Sequence, residues 1–119
     1  MFYRCYNLTA FDADLKSLTN GKSMFDDCSA LNTFTSDLSA LTNGYRMFRN
    51  CKLNTASIKN IADTIKNVTS LTNGSSISSE VYKTIDIGLA NSTPSSTEAT
   101  YLTQIKNKGW TVNVNGKSY

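Results

Sequence analysis

Apolar residues in the first half of the chain return at fixed places. Met1-Phe2 followed by Cys5 recurs as Met24-Phe25 with Cys28 and as Met47-Phe48 with Cys51, each time 23 residues on. Between the cysteines, Leu8, Phe11, Leu15 and Leu18 lead into Thr19-Asn20-Gly21, and Leu31, Phe34, Leu38 and Leu41 lead into Thr42-Asn43-Gly44. Apolar positions three or four apart, repeating with a period in the twenties, are what stacked turns of chain require, because each turn buries its inward side chains only against its neighbours. The pattern predicts an α/β solenoid with short parallel strands. Leu8 to Asp12 and Leu31 to Thr35 are its expected strands, and Asn-Gly at 20-21 and 43-44 supplies tight turns at low steric cost. The Met-Phe pairs then fall on the opposite, short-helical side, with Phe2, Phe25 and Phe48 stacked as a column.

Beyond Leu53 the period becomes helical. Ile58, Ile61, Ala62, Ile65 and Val68 share one stripe, and Asn54 stands where an N-cap belongs. A loop is expected over residues 70 to 76, where Leu71-Thr72-Asn73-Gly74 repeats the earlier turn words. Val81, Ile85 and Ile87 then suggest a strand over about residues 80 to 88 from their rough alternation. Ser95 and Glu98 have the spacing of a capping box, and Ala99, Leu102 and Ile105 give the helix they start an inward face. Gly109 ends that helix, Trp110, Val112 and Val114 alternate as a last strand, and Asn115-Gly116 turns the chain out. Helix, strand, helix, strand would cap the C-terminal end of the solenoid by adding strands to its ladder and protecting the last edge.

The repeated Met-Phe-x-x-Cys words, with the spaced leucines after each cysteine, resemble the BspA-like (Treponema-type) leucine-rich repeats of bacterial surface proteins. The resemblance covers residues 1 to 53 and implies a leucine-rich-repeat-like solenoid. The chain departs from the pattern in lacking the proline that often follows the strand, and in its third unit, where Cys51-Lys52-Leu53 is one residue short. The stretch from about residue 53 to 114, ending in Lys108-Gly109-Trp110-Thr111, resembles the terminal segment of repeat-bearing tail and surface proteins of phages and gut-type bacteria. Residues 1-53 are thus expected to be coils of 23 residues and residues 54-119 an α/β cap continuous with them, one domain in all. On this reading the first strand is an open edge, and a solenoid needs both ends shielded. The expectation is a fragment of a longer protein, or an N-terminal end buried against another copy or a partner. The alternative is that Phe2, Tyr3 and Tyr6 fold over the edge themselves.

Composition narrows the chemistry. Histidine is absent, which removes the commonest general base and metal ligand. The net charge of +3 is unevenly spread: residues 1 to 45 hold three basic and five acidic side chains, a net −2, and the remainder nine basic and four acidic, a net +5. No basic run is interleaved with aromatics as a nucleic-acid binder would need, and no stretch has the apolar length of a membrane span or the layout of a signal peptide. The three cysteines sit at equivalent places in successive repeats and read as an inward column of buried thiols. A disulfide between neighbours is the lesser reading, and a structural zinc lacks both a Cys-x-x-Cys and a histidine. Asp12, Asp14 and Asp37 read as solvated turn carboxylates, since no third ligand or base accompanies them.

The expected function is therefore non-enzymatic, with no catalytic residue, metal or cofactor. It is recognition or adhesion by a module that contacts a protein or glycan through the sheet face carrying Thr9, Ala10, Asp12, Asn32, Thr33 and Thr35. The alternative is a purely structural end module of a fibre or virion, docking through its N-terminal edge. The resemblance implies an extracellular place, at a bacterial cell surface or on a virion.

Overall fold

The computed structural model describes residues 2–119, so Met1 of the first repeat lies outside the described residues. The elements in chain order are β1 (Ala10–Phe11), β2 (Thr33–Phe34), β3 (Asn43–Leu53), α1 (Thr55–Thr64), β4 (Tyr82–Leu89), α2 (Ser96–Asn107), β5 (Thr111–Val114) and β6 (Lys117–Ser118). They form two sheets: a parallel pair, β1 with β2, and a four-stranded mixed sheet in the order β3-β4-β5-β6, in which only β6 runs antiparallel to its neighbour.

This architecture corrects the expected leucine-rich-repeat-like solenoid. The body is a compact α/β fold measuring 33 × 31 × 24 Å, with two small sheets and two helices. Two physical causes stand out. The expected strands at Leu8 to Asp12 and Leu31 to Thr35 shrink to two residues each, and among the described residues no third strand joins them, because the chain enters α1 after Leu53. The long strand instead forms on the side expected to be short-helical: Met47 and Phe48 lie inside the 11-residue β3. The strands after Leu53 therefore add nothing to the β1-β2 ladder. They build the main sheet on β3.

The 23-residue pattern does place matching side chains over one another. The rings of Phe2 and Phe25 stack with centroids 5.4 Å apart, and those of Phe25 and Phe48 at 5.5 Å. Phe11 and Phe34 form a parallel stack at 6.1 Å and meet the first column edge-on. Backbone bonds repeat with the same step: Phe2 N–H donates to the Met24 carbonyl, and Phe25 N–H to that of Met47. Left-handed residues recur too, at Arg4, Asp27 and Asn50 and at Ser23 and Arg46. Within β3, Arg46 and Asn50 are these left-handed positions, and the register against β4 shifts around them. Such bulges bend a strand and break its alternation.

Behind the main sheet lie α1 and α2. Asn54 caps α1 by accepting the Ser57 N–H at 2.9 Å, and Ile58, Ile61 and Ala62 are buried. The Ser95–Glu98 capping box is present at the start of α2, whose Leu102 and Ile105 are fully buried. Ile85, Ile87 and Leu89 of β4, with Val112 and Val114 of β5, supply the sheet's side of the core. Gly88 allows β4 to lie close to β3, since a Cβ there would stand 2.5 Å from both the N and the O of Cys51. Asn115 and Gly116, both left-handed, make the two-residue turn into β6, a strand the sequence pattern did not announce.

A second role of α1 also went unannounced. Its side chains finish the edge of β2 in place of a third strand. The Ser57 hydroxyl donates to the Asn32 carbonyl at 2.9 Å and accepts the Phe34 N–H at 2.8 Å. Asn60 donates to the Ser36 carbonyl, and Thr64 accepts the Leu38 N–H. Three polar residues on one side of the helix thus satisfy backbone groups that a neighbouring strand would otherwise have to meet.

Candidate functional site

The residues expected to form a binding face lie on and around the β1-β2 pair. Thr9, Ala10, Asp12, Asn32 and Thr35 are exposed and Thr33 is half-buried. They do not all remain available for a ligand. Asn32 donates to the Lys52 carbonyl, and its side-chain oxygen accepts both the Thr33 hydroxyl and the Asn54 amide. The Thr9 carbonyl takes the N–H groups of Asn32 and Thr33. Asp12 and Thr35 border a shallow open depression of about 340 Å³ shared with Asp14, Lys16 and Asp37. Asp14 and Asp37 each accept the N–H two residues on, from Lys16 and Ser39, which is the turn chemistry expected of them. Hydrogen bonds from the side chain and backbone of Ser39 hold the Asp37 carboxyl below its ordinary range.

All three thiols are free. Cys28 and Cys51 are buried, and each donates to a backbone carbonyl 26 residues earlier, Cys28 to Phe2 at 2.8 Å and Cys51 to Phe25 at 3.2 Å. Burial raises both pKa values, most strongly that of Cys51. Cys5 is only half-buried. Asp26, buried beside this column, takes a bidentate pair of bonds from the Arg49 guanidinium at 2.8 and 2.9 Å. These groups neutralise one another and hold adjacent turns of chain together. Among the described residues, no group of three or more His, Cys, Asp or Glu side chains is placed to hold a metal ion.

The surface that stands out is the end of the molecule at β1. Phe2, Cys5, Leu8, Phe11 and Leu18 are each partly exposed, whereas their counterparts 23 residues on, Phe25, Cys28, Leu31, Phe34 and Leu41, are completely buried. Tyr3 and Tyr6 are 50% and 57% exposed, so they do not fold over this end. Among the described residues β1 pairs only with β2. Its Thr9 and Phe11 carbonyls accept from the β2 side, so the amide of Ala10 between them points the other way. Arg4 stacks over the Tyr3 ring at 4.9 Å and lies 3.7 Å from Asp27 at the rim. The result is an apolar patch beside an open backbone edge, ringed by tyrosine and arginine.

No family model, curated protein or solved structure matches the chain, so the BspA-like resemblance gains no support from relatives. No helix among the described residues is long and apolar enough to cross a membrane.

Proposed function

We propose that the chain is a non-enzymatic structural module that associates with a second copy of itself through the open edge at β1. The single observation that carries this reading is the contrast between five half-exposed apolar residues and their fully buried counterparts one repeat later. The buried set shows how such side chains are covered when a neighbouring turn lies over them. The partly exposed set lacks that cover on its outer side. Half-covered Phe and Leu next to the outward amide of Ala10 invite both hydrophobic burial and strand addition. Two copies related by a two-fold axis would offer one another the same patch, with Phe2 and Phe11 of each against those of the other.

The reading is preferred to ligand recognition across the outer face of β1 and β2 because the Asn32 side chain on that face is engaged in internal hydrogen bonds. It is preferred to catalysis because Asp14 and Asp37 serve turns and Asp27 an ion pair, and the two thiols with shifted pKa values are held protonated by burial.

Sedimentation velocity over a wide concentration series tests it. The expected result is a monomer–dimer equilibrium that Ala10→Pro abolishes, since proline removes the outward amide and leaves the core untouched. A protein that stays monomeric to millimolar concentration would overturn the proposal, as would a dimer insensitive to Ala10→Pro and to Phe11→Ser.

A further inference from the structure

Two shallow depressions, each of about 330 Å³, meet at the carboxyl ends of the parallel strands β3, β4 and β5 and share Ser92 and Asn115. None of the residues lining them belongs to β1. From this groove we propose a second binding site, one that takes an acidic oligosaccharide, a sugar chain carrying carboxylate or sulfate groups.

The floor is built and held. Asn115, in the left-handed conformation at the end of β5, accepts the Leu89 N–H at 2.9 Å and donates to the carbonyls of Asn91 and Ser92 at 3.0 and 3.1 Å. One side chain therefore locks the segment after β4 against the hairpin after β5. The Tyr119 ring at the far end is equally fixed. Its hydroxyl donates to the Ala99 carbonyl at 3.0 Å, its backbone N–H to that of Val112 at 2.9 Å, and the Lys106 ammonium lies 5.7 Å from the ring centre.

The chemistry of the lining selects the ligand class. Ser92, Thr93 and Ser118 offer hydroxyls that donate and accept and so match the hydroxyls of a sugar, while Asn50 and Asn91, whose amide nitrogens are engaged by Asp27 and Glu98, offer side-chain oxygens as acceptors. Tyr119 adds an aromatic surface on which the C–H face of a pyranose can rest. The site is an open trough, which suits a chain that lies along it with part of itself in water. Lys52 and Lys117 stand exposed in the two halves of the trough, and neither is paired with a carboxylate among the described residues. Two unspent ammonium groups beside a neutral polar floor favour an anionic sugar over a neutral one.

The test is an NMR titration of the isotope-labelled full chain with a galacturonic acid trimer, with maltotriose as the neutral comparison and hexaglutamate as the acidic peptide comparison. The expected result is saturable shifts at the backbone amides of Ser92 and Gly116 and at the Asn115 side-chain amide. Replacing both lysines, Lys52→Ala with Lys117→Ala, should weaken binding about tenfold or more while leaving the unfolding midpoint unchanged. Absence of shifts at millimolar trimer, shifts confined to other surfaces, or an equal response to maltotriose would overturn the proposal. So would hexaglutamate shifting the same signals at lower concentration. The β1 variants Ala10→Pro and Phe11→Ser should bind the trimer normally.

Discussion

The ammonium of Lys108 donates to the carbonyls of Ala62 and Ile65, at 2.7 and 3.0 Å, so the residue that closes α2 also caps the end of α1. Around it, Val68 N–H donates to the Lys108 carbonyl at 2.7 Å and the Trp110 indole to the Lys66 carbonyl at 2.9 Å. The Lys-Gly-Trp run is a clasp between the two helices. Lys108→Met should therefore lower stability by about 1–3 kcal/mol, the cost of leaving helix-end carbonyls without a charged donor. Urea unfolding followed by Trp110 fluorescence measures it.

Gly109 belongs to the same clasp. Its φ is +96°, and a Cβ there would stand 2.8 Å from the Thr69 nitrogen. Gly109→Ala should cost more than about 1 kcal/mol, because an L side chain is disfavoured at this φ and the neighbour is backbone that cannot step aside. Thermal unfolding of the variant beside Lys108→Met shows whether the two losses overlap, as they should for parts of one contact.

The aromatic column predicts a gradient. Phe25 is fully buried between Phe2 and Phe48, and Phe25→Ala should cost roughly 3–5 kcal/mol. Phe11 is only half-buried, so Phe11→Ala should cost clearly less in dilute solution. Equal losses in denaturant titrations would contradict this packing.

Glu98 links stability to acid. Its side chain is completely buried, and burial alone would push the carboxyl up. Hydrogen bonds from the backbone of Ser95 and the side chains of Asn91 and Thr55 more than offset that and hold it below the ordinary carboxylate range. A folded-state value below the unfolded one gives stability that is full above the unfolded value and lost as pH falls through the folded one. Denaturation midpoints should drop as the pH falls below about 4.5, the ordinary carboxyl value. Glu98→Gln should flatten that acid limb and lower stability near neutrality.

Thiol reactivity should follow depth. Half-buried Cys5 is expected to react with a thiol-specific reagent in the folded protein, while Cys28 and Cys51 react only on unfolding, because burial keeps them protonated and inaccessible. Mass spectrometry of pulse-labelled protein counts the sites.

Much of the local structure can be read in the sequence. The 23-residue spacing foretells the stacking of Phe2, Phe25 and Phe48, Asn54 foretells the cap of α1, and Ser95 with Glu98 foretells that of α2. The global fold cannot be read the same way. Left-handed Arg46 and Asn50 break the alternation of β3, so a strand of 11 residues carries no period of two. Ser57, Asn60 and Thr64 look like a solvent face on composition, yet they spend their polar groups on the β2 edge. As for the sites, the half-exposure of Phe2, Leu8 and Phe11 is a property of neighbours, and only their place in the first repeat, whose strand is expected to be an open edge, marks them off from Phe25, Leu31 and Phe34. The trough at Ser92 and Asn115 joins segments more than twenty positions apart that share no repeat; Asn115-Gly116, legible as a turn, was its only sequence signal.

The helix that substitutes for a strand also gives the molecule a direction. One edge of the small sheet is already met by hydroxyl and amide groups of α1, which an incoming chain would have to displace. The free border of the large sheet is only two residues long and carries a lysine. On the proposed pairing through β1, growth would stop at two copies, and the polymerisation that threatens exposed strands would have no second place from which to continue.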